Sequence, residues 1–213
     1  QIAEKGKPVV LSTGASTLGE IDIAVNELQN SGCREIVLLQ CTLNYPTAYE
    51  SAHLNMIDGL RRAYPGLTVG LSDHTLADPG MLVLTTAYLK GARVIEKHFT
   101  YDKNIKGSDH KHSMDRDDLL KFTSNIAFIR NLLGNCHKEP LETEHLARLN
   151  ARRSIVLANE VSAGSIISEQ DLTFKRPGYG ISPLHWDEVV GMMARKTLQQ
   201  DHVLKWQDLD QPQ

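Results

Sequence analysis

The sequence lacks any apolar run long enough to cross a membrane. Its longest apolar stretches, Val9–Leu11 and Ile36–Leu39 among them, fall far short of the roughly 20 residues that a spanning helix requires. No signal peptide is visible either, and the expected location is cytoplasmic. Gln1 stands where a natural start would have Met, inside helix-like text (QIAEKGK), and reads as a cut end. Cysteine is scarce: Cys33, Cys41 and Cys136 form no CxxC pair, which argues against a disulfide framework or a zinc–sulfur site. All three read as reduced, small packing residues. Charge is close to balanced, with 23 basic and 26 acidic residues and a formal net charge of -3. That excludes a basic field for nucleic acid and a polybasic membrane patch. There is no Walker-type or GxGxxG motif, so nucleotide binding is not expected.

What is present is a series of short apolar runs alternating with amphipathic stretches over the first 134 residues. KPVVLSTG, EIVLLQCT, TVGLSDHT and ARVIEKHFT read as four strands. A helical pattern follows each of them: Ile21, Ala24, Val25 and Leu28 behind a capping box at Thr17 and Glu20; Leu54, Ile57 and Leu60; Met81 to Tyr88; and Leu119 to Leu133 from a start near Asp115. Strands that are apolar nearly throughout belong to parallel sheets covered on both faces. Residues 135–151 read as a polar linker with one helical turn. Residues 152–213 change to short strands and frequent turns with one helix opened by Ser182-Pro183, the pattern of a small β-rich domain. The fold class is therefore α/β followed by a small β domain.

Each strand of the first part ends in polar residues, and ligands of α/β folds bind at the carboxyl ends of strands. His74 and His98 end the third and fourth strands, about one strand–helix unit apart. Adjacent parallel strands lie about 4.8 Å apart, so two such imidazoles can share one ion at bonds of roughly 2.0–2.3 Å. A neutral, hydrogen-bonded role for either ring is the competing reading. Two nitrogens without a thiolate suit an ion with open positions and not a closed structural site. The other seven histidines read as ordinary surface, loop or linker residues. Ser12, Thr13 and Gly14, Thr42 and Ser72 place hydroxyls and a close backbone approach at three strand tips. They would hold a phosphate or carboxylate, or else satisfy loop backbone. The long loop after the fourth strand carries Lys106 and Asp109, for an anion and sugar hydroxyls, or for solvent. Lys175-Arg176-Pro177-Gly178-Tyr179-Gly180 is a rigid turn presenting Arg176 to a ligand, a partner subunit or water.

The ordered set STG, QCTLNYP, GLSDHT, EKHFT and KGSDH resembles the N-acetylneuraminate (sialic acid) synthase family. The AGSIISEQDLTFKRPGYGISP text resembles that family's antifreeze-like (SAF) domain. The resemblance implies that residues 1–134 are the second half of a (β/α)8 TIM barrel and residues 152–213 a SAF domain of β-clip type. It implies an enzyme that condenses phosphoenolpyruvate with N-acetylmannosamine or a related N-acylated amino sugar. C3 of phosphoenolpyruvate attacks the sugar aldehyde, water adds at C2, and phosphate leaves. It also implies His74 and His98 as ligands of a divalent ion, Mn²⁺ first and Mg²⁺ or Co²⁺ as alternatives. Ser12 and Ser72 fall at the phosphoenolpyruvate and Tyr45 and Asp109 near the sugar, with Thr13, Thr42 and Asp73 also among the expected substrate-binding residues. Glu96 supports the site by hydrogen bonding, and Arg176 reaches the partner's active site in a domain-swapped homodimer. Two departures stand out. Only four strand–helix units are present, so the family's catalytic glutamate and phosphate-binding lysines have no counterpart here. Leu43 stands where family members carry Asn, with Asn44 following. A non-catalytic sugar-binding or assembly module, and a synthase making legionaminic- or pseudaminic-type acids, are the alternative readings.

Overall fold

The computed structural model describes residues 1–107 and 109–212; Ser108, part of the Lys106–His110 run, and Gln213 lie outside them. The chain divides into two compact units, residues 1–135 and 136–213. In the first, β1 (Val9–Ser12), β2 (Ile36–Cys41), β3 (Thr68–Asp73) and β4 (Ile95–Lys97) form one parallel sheet in the order β1-β2-β3-β4. Between them run α1 (Leu18–Asn30), α2 (Asn55–Ala63) and α3 (Leu82–Leu89), and α4 (Arg116–Leu133) follows β4. The Thr17 hydroxyl accepts from the Glu20 amide while the Glu20 carboxylate accepts from Thr17, closing the capping box that starts α1. Asp115 caps α4 through the amides of Asp117 and Asp118.

The core lies between the sheet and its helices. Leu38 and Leu71 from the strands meet Ile21 and Val25 of α1, Ile57 of α2 and Leu84 of α3. Gly70 lets β3 approach its neighbours: a Cβ there would lie 2.2 Å from the Val94 carbonyl oxygen and 2.5 Å from Leu39 Cδ2. The expected apolar face of α4 is only half covered. No residue of α4 is buried: on that face Phe122, Ile126 and Ile129 are half-buried while Leu119 and Leu133 stand exposed, and Asn125 ties the helix to α3 by donating to Gly80 O and Thr85 Oγ1. Cys33 and Cys41 are buried and free, but Cys136 is exposed, unlike the packing residue expected. Among the described residues no helix is long and apolar enough to cross a membrane.

The second unit opens with more helix than a linker with one turn: a 3₁₀ turn at Glu142–Glu144 runs into α5 (His145–Ala151), with the Glu144 carboxylate accepting from the Leu141 amide. Two short antiparallel ladders follow, β5 (Ser154–Leu157) with β6 (Leu172–Lys175) and β7 (Met193–Ala194) with β8 (Leu209–Asp210); α6 (Trp186–Val189) lies between them in the chain. Ile155, Leu157, Ile167, Val189, Leu198 and Leu204 form their common core. The Ser154 hydroxyl donates to Pro177 O (2.7 Å) and accepts from the Gly180 amide (2.9 Å). Those bonds pin the turn that carries Arg176.

Candidate active site

Residues paired in a parallel ladder share a face, and successive residues alternate between faces. Cys41, Ser72 and Glu96 are partners in register and therefore lie on one face of the sheet. Two residues further along their strands, His74 and His98 fall on the same side. Their rings sit 5.4 Å apart, nearly perpendicular. One layer below, the Ser72 hydroxyl donates to Glu96 Oε1 at 2.8 Å. Above, the Tyr45 ring stacks 4.1 Å from His74 and 5.9 Å from His98.

The backbone sets the tautomer of His74. Its Nδ1 lies 3.0 Å from the Thr42 carbonyl oxygen, which only accepts, so in the neutral tautomer that fits this contact Nδ1 carries the proton and Nε2 the lone pair. The Thr42 segment is held in place in turn. The Thr42 hydroxyl donates to Ser51 O, Thr47 Oγ1 lies within reach of the Thr42 and Asn44 carbonyls, and the Thr47 amide donates to His74 O. His98 Nδ1 faces Asp109 Oδ2 at 3.6 Å. A carbonyl on the far nitrogen of an imidazole, as at His74, is an arrangement that orients metal-binding histidines.

The structure brings His74, His98, Tyr45, Ser72, Glu96 and Asp109 together. Ser12 is exposed at the tip of β1 on the same sheet face, by its register with Leu39 and Gly70. Thr13 is buried and its hydroxyl donates to Leu39 O at 2.8 Å. Asp73 lies on the opposite face, where Lys97 Nζ reaches its Oδ2 at 2.6 Å and Thr75 donates to both oxygens through its amide and hydroxyl. These two act on the framework. A cavity of about 670 Å³ opens at the tips of β1 and β2, lined in part by Thr13, Ser16, Thr42 and Asn44. Gly14 closes against Cys41, where a Cβ would come within 2.9 Å of Sγ. Burial pushes the Cys41 thiol up, so it stays protonated. Lys106 is exposed. Arg176 is exposed on its pinned turn in the second unit.

One neighbour was not expected. His112, read above as an ordinary loop residue, is buried with its ring 5.0 Å from His98 and 5.8 Å from Tyr45. The loop returns to β4: the Met114 amide donates to His98 O and the Thr100 amide to Met114 O, while Ser113 bonds back to Asp109 O through amide and hydroxyl. This return carries residues 109–112 over the strand tips. Burial, and then the adjacent His98, holds the His112 imidazole below its usual range, which keeps it neutral.

Donor atoms of His98, Asp109 and His112 lie within 4.8 Å of one another, a spacing that suits a divalent ion. His74 stands beside that set, with its ring 5.4 Å from His98 and its Nδ1 on the Thr42 carbonyl. His112 Nε2 is buried with no hydrogen-bond partner, a state that costs about 1–3 kcal/mol unless something occupies it.

Comparison with known proteins gives this geometry a family. Residues 1–138 match the NeuB family and residues 152–210 the SAF domain. The chain is 38% identical to the N,N'-diacetyllegionaminic acid synthase of Legionella pneumophila, over 98% of this chain and 58% of that one. It is 33% identical to the pseudaminic acid synthase of Campylobacter jejuni, over 97% and 59%. The crystal structure of the N-acetylneuraminic acid synthetase of Leptospira borgpetersenii superposes with a TM-score of 0.60 at 32% identity, over 68% of this chain and 50% of that one. The chain thus spans about three fifths of the length of the curated relatives it matches. With its sequential parallel sheet, its histidine pair at the strand tips and a matched SAF domain, the chain belongs to the NeuB family.

Proposed function

We propose that this chain is the second half of the TIM barrel and the SAF domain of a nonulosonic acid synthase, which condenses phosphoenolpyruvate with an N-acylated mannosamine-type sugar and releases phosphate. The observation that carries the reading is the convergence of His74 and His98 under Tyr45, above the Ser72–Glu96 pair. A divalent ion there, Mn²⁺ first and Mg²⁺ or Co²⁺ otherwise, would act as a Lewis acid toward the sugar aldehyde. His74 and His98 hold that ion. Glu96 holds Ser72 ready; on binding phosphoenolpyruvate, the Ser72 and Thr42 hydroxyls turn their protons from Glu96 and Ser51 O to its carboxylate and phosphate, beside Ser12. Tyr45 walls the sugar side, and Asp109 meets the sugar hydroxyls. Thr13 and Asp73 position these groups from beneath. Arg176 reaches the active site of a partner subunit in a domain-swapped homodimer. Relatives named for legionaminic and pseudaminic acids keep the diacetamido sugars among the candidate substrates.

The test uses the whole protein, with phosphoenolpyruvate, Mn²⁺ and a panel of N-acylated amino sugars, following phosphate release. Release is expected to require the cation and to vanish in His74→Ala and in His98→Ala, with circular dichroism unchanged. Cation-dependent turnover that persists in either variant removes the assignment. Sugar binding without turnover by the whole protein would mark it as a non-catalytic module.

A further inference from the structure

His112 has no part in the reading above, yet its Nε2 is the one buried side-chain nitrogen or oxygen without a hydrogen-bond partner among the described residues. Native structures rarely leave such an atom unmatched. His110, two residues earlier, shows the ordinary outcome: its Nδ1 pairs with Thr100 Oγ1 at 2.8 Å. His112 instead has its ring beside His98 and Tyr45. One donor atom each from His98, Asp109 and His112 falls within 4.8 Å of the others. Around an ion with bonds of about 2.0–2.2 Å, ligand atoms stand about 3–4.4 Å apart, so these three donors stand close to ligand spacing.

We propose that His112 and Asp109 join His98 in holding the cation at the strand tips, making this rim a centre of imidazoles and a carboxylate in place of an imidazole pair. The inference rests on the reading that a cation sits at His74 and His98, and deepens it. The backbone supports the arrangement, because the Met114–His98 and Thr100–Met114 bonds hold the loop return against β4. The chemical consequence is selectivity. Each added imidazole favours borderline ions further along the Irving–Williams order, so Co²⁺ and Zn²⁺ gain over Mn²⁺. A carboxylate beside two or three imidazoles also leaves fewer open positions than a pair would.

The test strips the whole protein with chelator, then titrates Zn²⁺ by calorimetry and Co²⁺ by its visible absorption. His112→Ala and the more conservative His112→Gln are each expected to weaken Zn²⁺ and Co²⁺ binding by about tenfold or more, beyond the effect on Mn²⁺, and to shift the Co²⁺ bands. Asp109→Asn is expected to shift the same bands. An unchanged Co²⁺ spectrum and Zn²⁺ affinity in folded His112→Gln would overturn the inference. If His74→Ala and His98→Ala nonetheless lose the cation, the two-histidine reading survives that failure. Binding that ignores His98→Ala sinks both.

Discussion

Replacing Lys97 with Met probes the structure beneath the histidines. Lys97 and Asp73 side chains are 1% and 4% exposed, and Nζ lies 2.6 Å from Asp73 Oδ2 and 2.7 Å from Thr75 O. The two residues immediately precede His98 and His74, so their bond ties together the strand ends that carry both rings. Lys97→Met leaves the Asp73 carboxylate buried with only Thr75 as donor. Removing one partner of a buried pair costs about 3–5 kcal/mol, because the remaining charge is uncompensated. A domain of this size has only about 5–15 kcal/mol in total, so roughly a fifth or more of its stability is at stake. Adding Asp73→Asn removes the stranded charge and keeps an acceptor for the Thr75 amide. The double variant should therefore be more stable than Lys97→Met alone. Thermal and urea unfolding followed by far-ultraviolet circular dichroism reads the loss. Both tryptophans, Trp186 and Trp206, lie in the second unit, so their fluorescence serves as an internal control. A loss below about 1 kcal/mol for Lys97→Met, the scale of an exposed pair, or a double variant less stable than the single, would refute the argument.

Two further outcomes follow from local geometry. Gly70→Ala drives a Cβ against the Val94 carbonyl and should destabilise the first unit by about 1–3 kcal/mol, whereas Gly59→Ala, in open space on α2, should stabilise it by about 0.5–1 kcal/mol; chemical denaturation separates the two signs. In the second unit, burial pushes the Asp208 carboxyl up, but donors from His202, Lys196 and the Lys205 amide outweigh it and hold it below the usual range. A depressed carboxyl contributes stability above its unfolded value, near 4, and loses it as pH falls through the folded one. Tryptophan fluorescence should therefore show the second unit weakening below about pH 4–5, with a flatter profile in Asp208→Asn; identical profiles would contradict the assignment.

Much of the fold could be read from local text. The capping box at Thr17 and Glu20 and the strand–helix alternation depend on neighbours within a few residues, and the structure repeats them. The covered face of α4 did not follow from its periodicity, because an amphipathic pattern states which side can be buried and not what arrives to bury it. The pinned turn at Arg176 was legible as a turn, but its bonds to Ser154 connect residues 23 and 26 positions apart.

The site divides along the same line, and strand geometry explains how. Asp73-His74 and Lys97-His98 are adjacent pairs, and adjacent strand residues point to opposite faces. Once the histidines face the mouth, their neighbours must face the helices, where a carboxylate and an ammonium survive burial only by meeting each other. Asp73 could thus have been withdrawn from the substrate side on alternation alone, and paired with Lys97 by register. No comparable rule reaches His112. It comes to His98 through the return of a long loop, closed by the Phe99–Met114 bridge, and that path has no periodicity to read. The rim at the strand tips is therefore predictable where strands build it, and discoverable only in three dimensions where the loop completes it.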